Sequence, residues 1–182
     1  MRIRSARLIV AAVAALALVG AGTSTAQAAE SSGSSSKGST RVVVAPEVFK
    51  LITGAGIKPA AIKPATAKPA GSTLAAKFPI SSIKVSKLQV RHTGGIKLSA
   101  GDAKISLRNF TIDVNKLRVY GKVNGGDKSV PLFTISRTDR AAYGPLKLSL
   151  TSSAATALNT TFKVDAFSEG ATFGYAKISP KG

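Results

Sequence analysis

The chain has no cysteine, no tryptophan, one histidine, one methionine and eight acidic residues in 182. Without cysteine there is no disulfide and no thiolate metal site, so stability must come from packing alone. Aromatic residues make up 5% of the chain, which leaves Val, Ile, Leu and Ala to build the core. Seven of these acids, Glu47, Asp102, Asp113, Asp127, Asp139, Asp165 and Glu169, are scattered along the chain. Asp102 and Asp127 stand in turn sequences, where Asp serves the backbone. There is no phosphate-loop glycine pattern, no nucleophile elbow and no HExxH. Catalysis needs converging acid, base or nucleophile groups. The expectation is a non-enzyme with no catalytic residue and no metal site.

Only one long apolar run is present, "LIVAAVAALALVGA" at residues 8–21. Arg2, Arg4 and Arg7 precede it, and "TSTAQAAE" follows with small residues at Ala26 and Ala28. That is the three-part pattern of a secretory signal peptide, read here as residues 1–28. A bilayer-spanning helix needs about 20 apolar residues. The processed chain is therefore expected to be secreted or envelope-associated and not transmembrane. Losing the three arginines lowers the formal charge from +18 to +15.

Residues 29–40 contain "SSGSSSKGS", with almost nothing to bury, and read as a flexible tether. Residues 41–182 read as a single β-rich domain. "RVVVA" is a short strand, and "PEVFKLITGAG" a helix opened by Pro46 and stopped by Gly54. Residues 57–71, "IKPAAIKPATAKPAG", repeat Lys-Pro at Lys58, Lys63 and Lys68. Proline and its effect on the preceding residue predict an extended, polyproline-like connection with few internal hydrogen bonds.

From Phe78 onward the apolar period is two. A parity change predicts a bulge near Ser86-Lys87, and a second parity change falls near Asn109. "SSAATALNTTF" reads as a second helix capped by Ser152 or Ser153, and "ATFGYAKI" as a closing strand. About seven or eight short strands with turn signals between them predict a mainly β fold. It should be an antiparallel β-sandwich or barrel with two short helices.

Lys84, Lys97, Lys104, Arg118, Lys122, Lys147 and Lys177 alternate with inward positions and must coat the outer face. Such a surface is soluble and protects strand edges. It also attracts polyanions, and the candidate contacts are Lys58, Lys63, Lys68, Lys84, Lys97, Lys104, Arg118 and Lys122. An anionic wall polymer or lipid surface fits that chemistry. No basic patch is interleaved with the aromatic platforms that single-stranded nucleic acid needs, so designed nucleic-acid binding is not expected.

His92 lies in "QVRHTGGIKLS", between two strands and beside two glycines. This stretch resembles a motif of the Htaa domain, a secreted β-rich haem-binding module of Gram-positive actinobacteria. The resemblance covers residues 83–123 and implies a haem pocket containing His92, with a Tyr as iron ligand. The candidates it implies are His92, Tyr120 and Tyr175. The family's opening, with Trp and the ligand Tyr, has no counterpart in "RVVVAPEVFKLITGAG". Two classes therefore stay open. The first is a basic envelope-binding or structural protein with no cofactor. The alternative is a haem-binding or haem-carrier protein.

Overall fold

Strands with apolar inward and polar outward positions can close on themselves and leave no apolar face in water. The computed structural model describes residues 37–140 and 142–181. The apolar run and its cleavage site lie outside them. The chain forms strand β1 (Gly38–Val44), helix α1 (Pro46–Gly54), β2 (Lys58–Ile62), β3 (Thr66–Ala70), β4 (Thr73–Lys84) and β5 (Gln89–His92). There follow β6 (Gly95–Ala100), β7 (Ala103–Asp113), β8 (Arg118–Val123), β9 (Ser129–Arg137), β10 (Leu146–Leu150), helix α2 (Ser152–Phe162) and β11 (Thr172–Pro180).

The strands pair in the order β7-β5-β4-β1-β11-β10-β9-β8, and β8 pairs with β7 again. The circuit closes as an eight-stranded antiparallel barrel. β6 takes over the edge of β7 where β5 stops, β2 pairs with β6, and β3 pairs with β4. The fold is mainly β with two short helices, and a barrel rather than a sandwich.

The interior is aliphatic, as the shortage of aromatics requires. Ile80, Leu98, Ile105, Leu132 and Leu150 are buried to 3% exposure or less. Each such side chain contributes about 1.5–3 kcal/mol relative to exposure. Phe78 and Phe110 meet edge to face at 5.1 Å across the core. Helix α2 closes one end with Ala154, Ala155 and Leu158.

Four local expectations need correction. β1 begins at Gly38, inside the stretch read as tether, because residues 39 and 40 find backbone partners on both β4 and β11. The Lys-Pro stretch is extended, but it forms β2 and β3 and is hydrogen-bonded to β6 and β4. Its prolines are tolerated because both strands are edges. The parity change at Ser86-Lys87 is a strand reversal through a 3-10 turn, Val85–Lys87, and not a bulge. The cap of α2 is Thr151, whose hydroxyl accepts from the Ala154 N–H at 3.2 Å and donates to the Pro131 carbonyl at 2.9 Å. The irregularity at Asn109 is a bulge in β7 against β8, with Asn109 at φ 54°.

Gly94 separates β5 from β6 at φ +78°, under the β2–β3 turn. A Cβ there would lie 2.6 Å from the Ala65 nitrogen and 2.7 Å from the Ile62 oxygen. Gly94→Ala should cost on the order of 1–3 kcal/mol. Thermal unfolding reads this as a fall in Tm of roughly 2–4 °C per kcal/mol. An unchanged Tm would mean that this turn does not hold the end of β5.

Candidate functional site

His92 ends β5, directly opposite Ile80 of β4, and is 4% exposed. Its Nδ1 lies 3.1 Å from the Phe110 carbonyl and its Nε2 lies 2.7 Å from the Thr40 hydroxyl. A carbonyl only accepts, so Nδ1 carries the proton and donates. Nε2 then accepts, and the Thr40 Oγ1–H donates to it. With the proton on Nδ1, both nitrogens of a neutral ring are satisfied. Burial holds its pKa below the ordinary value, with the bond to the Phe110 carbonyl opposing.

The ring borders an apolar cavity of about 60 Å³ in the barrel interior, which Phe78, Phe110, Val119, Phe133 and Leu148 also line. Val119 and Ala176 face this cavity. Tyr120 and Tyr175 are their neighbours along β8 and β11, and therefore point to the outer face. The structure thus does not bring His92, Tyr120 and Tyr175 together. Strand alternation puts the imidazole inside and both phenols outside, on strands separated by β9 and β10.

Each tyrosine has its own surroundings. The Lys116 Nζ sits 6.0 Å from the Tyr120 ring. Tyr175 is 6% exposed, covered by Tyr143 stacked at 5.5 Å and 21°. The Arg140 guanidinium lies 5.7 Å over the Tyr175 ring. Sequence reasoning missed Tyr143 and Arg140 because the β9–β10 loop has no periodicity. The available signal was the composition of "RTDRAAYGP", two arginines and a tyrosine at the end of β9 and in the loop after it.

The basic candidates are dispersed. Lys58, Lys63 and Lys68 are exposed on β2, on the β2–β3 turn and on β3. Lys97 and Lys104 line an open groove of about 560 Å³ with Arg108 and Asn124. Lys122 pairs across strands with Arg108. Lys84 and Arg118 lie at the opposite end of β7. Among the described residues no three His, Asp or Glu side chains converge on a metal position.

The neutral imidazole makes stability depend on pH. The unfolded chain takes up a proton near the ordinary His value, about 6.5, and the folded chain only below it. Stability is therefore fully present above that value and falls as pH drops towards the folded pKa. Asp113 is held below its ordinary value by the Gln89 amide and the Lys116 N–H, and its contribution is lost only in stronger acid. Tm should fall between pH 7 and 5.5 in the wild type and much less in His92→Gln. Equal slopes in the two proteins would contradict the buried neutral ring.

No family model matches the chain, and no curated protein is similar to it in sequence. Two solved structures share its fold. One is the C-terminal domain of HtaA from Corynebacterium glutamicum, at TM-score 0.52 and 13% identity, covering 80% of this chain and 97% of that one. The other is the heme binding protein HtaB from Corynebacterium glutamicum, at TM-score 0.51 and 11% identity, covering 78% of this chain and 90% of that one. The expectation of no cofactor is overturned by this likeness to a heme binding protein. The barrel interior does not fit a haem, because pockets for ligands of that size run to roughly 300–1,000 Å³. His92 also has no free nitrogen to offer iron. The outer cluster of Tyr143, Tyr175 and Arg140 does carry suitable chemistry, phenols for iron and a guanidinium for carboxylate. At these identities the likeness establishes the fold: the chain is a β-barrel of the Hta type, the fold of the family that "QVRHTGGIKLS" resembles.

Proposed function

We propose that the chain is a secreted, non-enzymatic haem-binding or haem-carrying protein that takes haem on the outer face of the barrel, at the β9–β10 loop. The observation that carries this reading is the Tyr143–Tyr175 stack beneath Arg140. Tyrosine is an established axial ligand of ferric haem, and bound haem would supply the iron centre. Tyr143, half-buried at the surface, is the ligand candidate. Tyr175 stacks behind it and fixes its ring. Arg140 supplies a planar donor for a propionate carboxylate. The fold shared with HtaB supports the assignment. His92 joins strands and is not a ligand.

In this reading residues 1–28 are a leader removed on export. The basic outer face, with Lys58, Lys63, Lys68, Lys84, Lys97, Lys104, Arg118 and Lys122, draws the protein to anionic envelope material. The groove of Lys97, Lys104 and Arg108 is the strongest local anion contact for a polymer.

Haemin titration tests the site. A saturable Soret band at one equivalent is expected. Tyr143→Phe should weaken binding by at least about tenfold, and Tyr175→Phe by less. His92→Phe should keep the Soret band and lower Tm. No saturable binding would remove the haem reading. Binding lost in His92→Phe but kept in Tyr143→Phe would move the site into the barrel.

A further inference from the structure

Two stretches of the chain repeat one pattern. Residues 83–90 read "IKVSKLQV" and residues 112–119 read "IDVNKLRV", that is, I-x-V-x-K-L-x-V. Each makes a hairpin turn, β4 to β5 and β7 to β8. In each, the Leu N–H bonds back to the Val carbonyl, Leu88 to Val85 at 3.0 Å and Leu117 to Val114 at 3.3 Å. The two turns lie side by side, because β5 pairs with β7. The Val114 N–H donates to the Leu88 carbonyl at 3.0 Å, and the Asn115 side chain to the Lys87 carbonyl at 3.4 Å. Together they form one tip at one end of the barrel.

Two features of this tip oppose ordinary stability. Leu88 and Leu117 have left-handed backbone, φ 46° and 49°, where Gly or Asn is favoured. The exposed large hydrophobic residues among the described residues are Val85 at 76%, Leu88 at 48%, Val114 at 45% and Leu117 at 54%. All four belong to this tip. An exposed turn is the place for polar residues, and this chain puts Val and Leu there twice at matching positions. A contiguous apolar patch rimmed by polar residues marks an interaction surface.

The rim identifies the partner. Lys84, Lys87, Lys116 and Arg118 flank the four apolar side chains. The neighbouring acid, Asp113, is covered at 4% exposure, with one carboxylate oxygen on the Gln89 amide at 2.9 Å and the other on the Lys116 N–H at 3.0 Å. A second copy would bring like charges together on a chain of formal net charge +18. A water-soluble polyanion would leave Val and Leu in water. An anionic lipid surface answers both features, since lysine stems lie along acyl chains while their ammonium groups stay with the headgroups.

We propose that the paired V-x-K-L turns are a docking tip for an anionic lipid bilayer. Val85, Leu88, Val114 and Leu117 enter the acyl boundary, and Lys84, Lys87, Lys116 and Arg118 hold the phosphates. The contact is separate from the tyrosine cluster and does not depend on haem.

The chain has no tryptophan, so Leu117→Trp gives the tip its own fluorophore in the full-length protein. Emission should shift to the blue and become protected from acrylamide on phosphatidylglycerol vesicles, but not on phosphatidylcholine vesicles. In an otherwise wild-type chain, Leu88→Asn with Leu117→Asn should weaken partitioning to phosphatidylglycerol vesicles by at least about tenfold. Because Asn tolerates the left-handed backbone, the same variant should keep or raise Tm. Four results would overturn the proposal: no shift on phosphatidylglycerol, an equal shift on phosphatidylcholine, the same shift with soluble polyphosphate, or unchanged partitioning of the double variant. A Tm well below wild type in the double variant would also overturn it, since the leucines would then be packing residues.

Discussion

A single imidazole ties three strands of the barrel together. His92 ends β5, accepts from Thr40 on β1 and donates to the carbonyl of Phe110 on β7. These contacts lie inside an otherwise apolar wall, where an unmade hydrogen bond costs about 1–3 kcal/mol. A neutral ring with its proton on Nδ1 makes both bonds, and burial favours that form. That arrangement fixes the end of β5, and with it the Thr93-Gly94 crossing where β6 replaces β5 on the edge of β7. A ring engaged on both nitrogens is a structural post, and it leaves the interior to aliphatic packing.

The closed interior sends function to the outside. With a cavity of only about 60 Å³, the barrel has no room for a sizeable ligand. What remains is a surface divided by position along the strands. The Tyr143, Tyr175 and Arg140 cluster lies on β11 and the β9–β10 loop, and the V-x-K-L turns cap the β4–β5 and β7–β8 hairpins. The cationic groove of Lys97, Lys104 and Arg108 lies towards the other end of β7. Among the described residues no helix is long and apolar enough to cross a membrane. A peripheral contact through turns asks for no such helix.

Much of the fold was legible because alternation is a local signal. The strands from Ile83 to Leu150, both helices and the outward lysines follow from which residues are apolar. The choice of a barrel over a sandwich was not legible, since the β1–β4 and β1–β11 pairings join segments far apart in sequence. The reversal at Val85–Lys87 was misread because a Leu in left-handed conformation gives no turn signature, where Gly or Asn would have. The same residue type hid the functional content of that turn. His92 stood out in the sequence as the one histidine, but its partners Thr40 and Phe110 are 52 and 18 residues away. Only the fold shows that the ring is already engaged. Tyr143 and Arg140 were missed because loop residues carry no period.

The state of the His92 ring in the presence of a bound porphyrin decides most directly between a structural post and a ligand. Nitrogen-15 NMR of the imidazole, with gallium(III) protoporphyrin as a diamagnetic stand-in for haem, reads each ring nitrogen separately. The expected result is a protonated Nδ1 and a hydrogen-bonded, unprotonated Nε2 at pH 7, the same with and without the porphyrin, while the Tyr143 resonances move. An Nε2 signal displaced to a metal-bound position on porphyrin addition would contradict it.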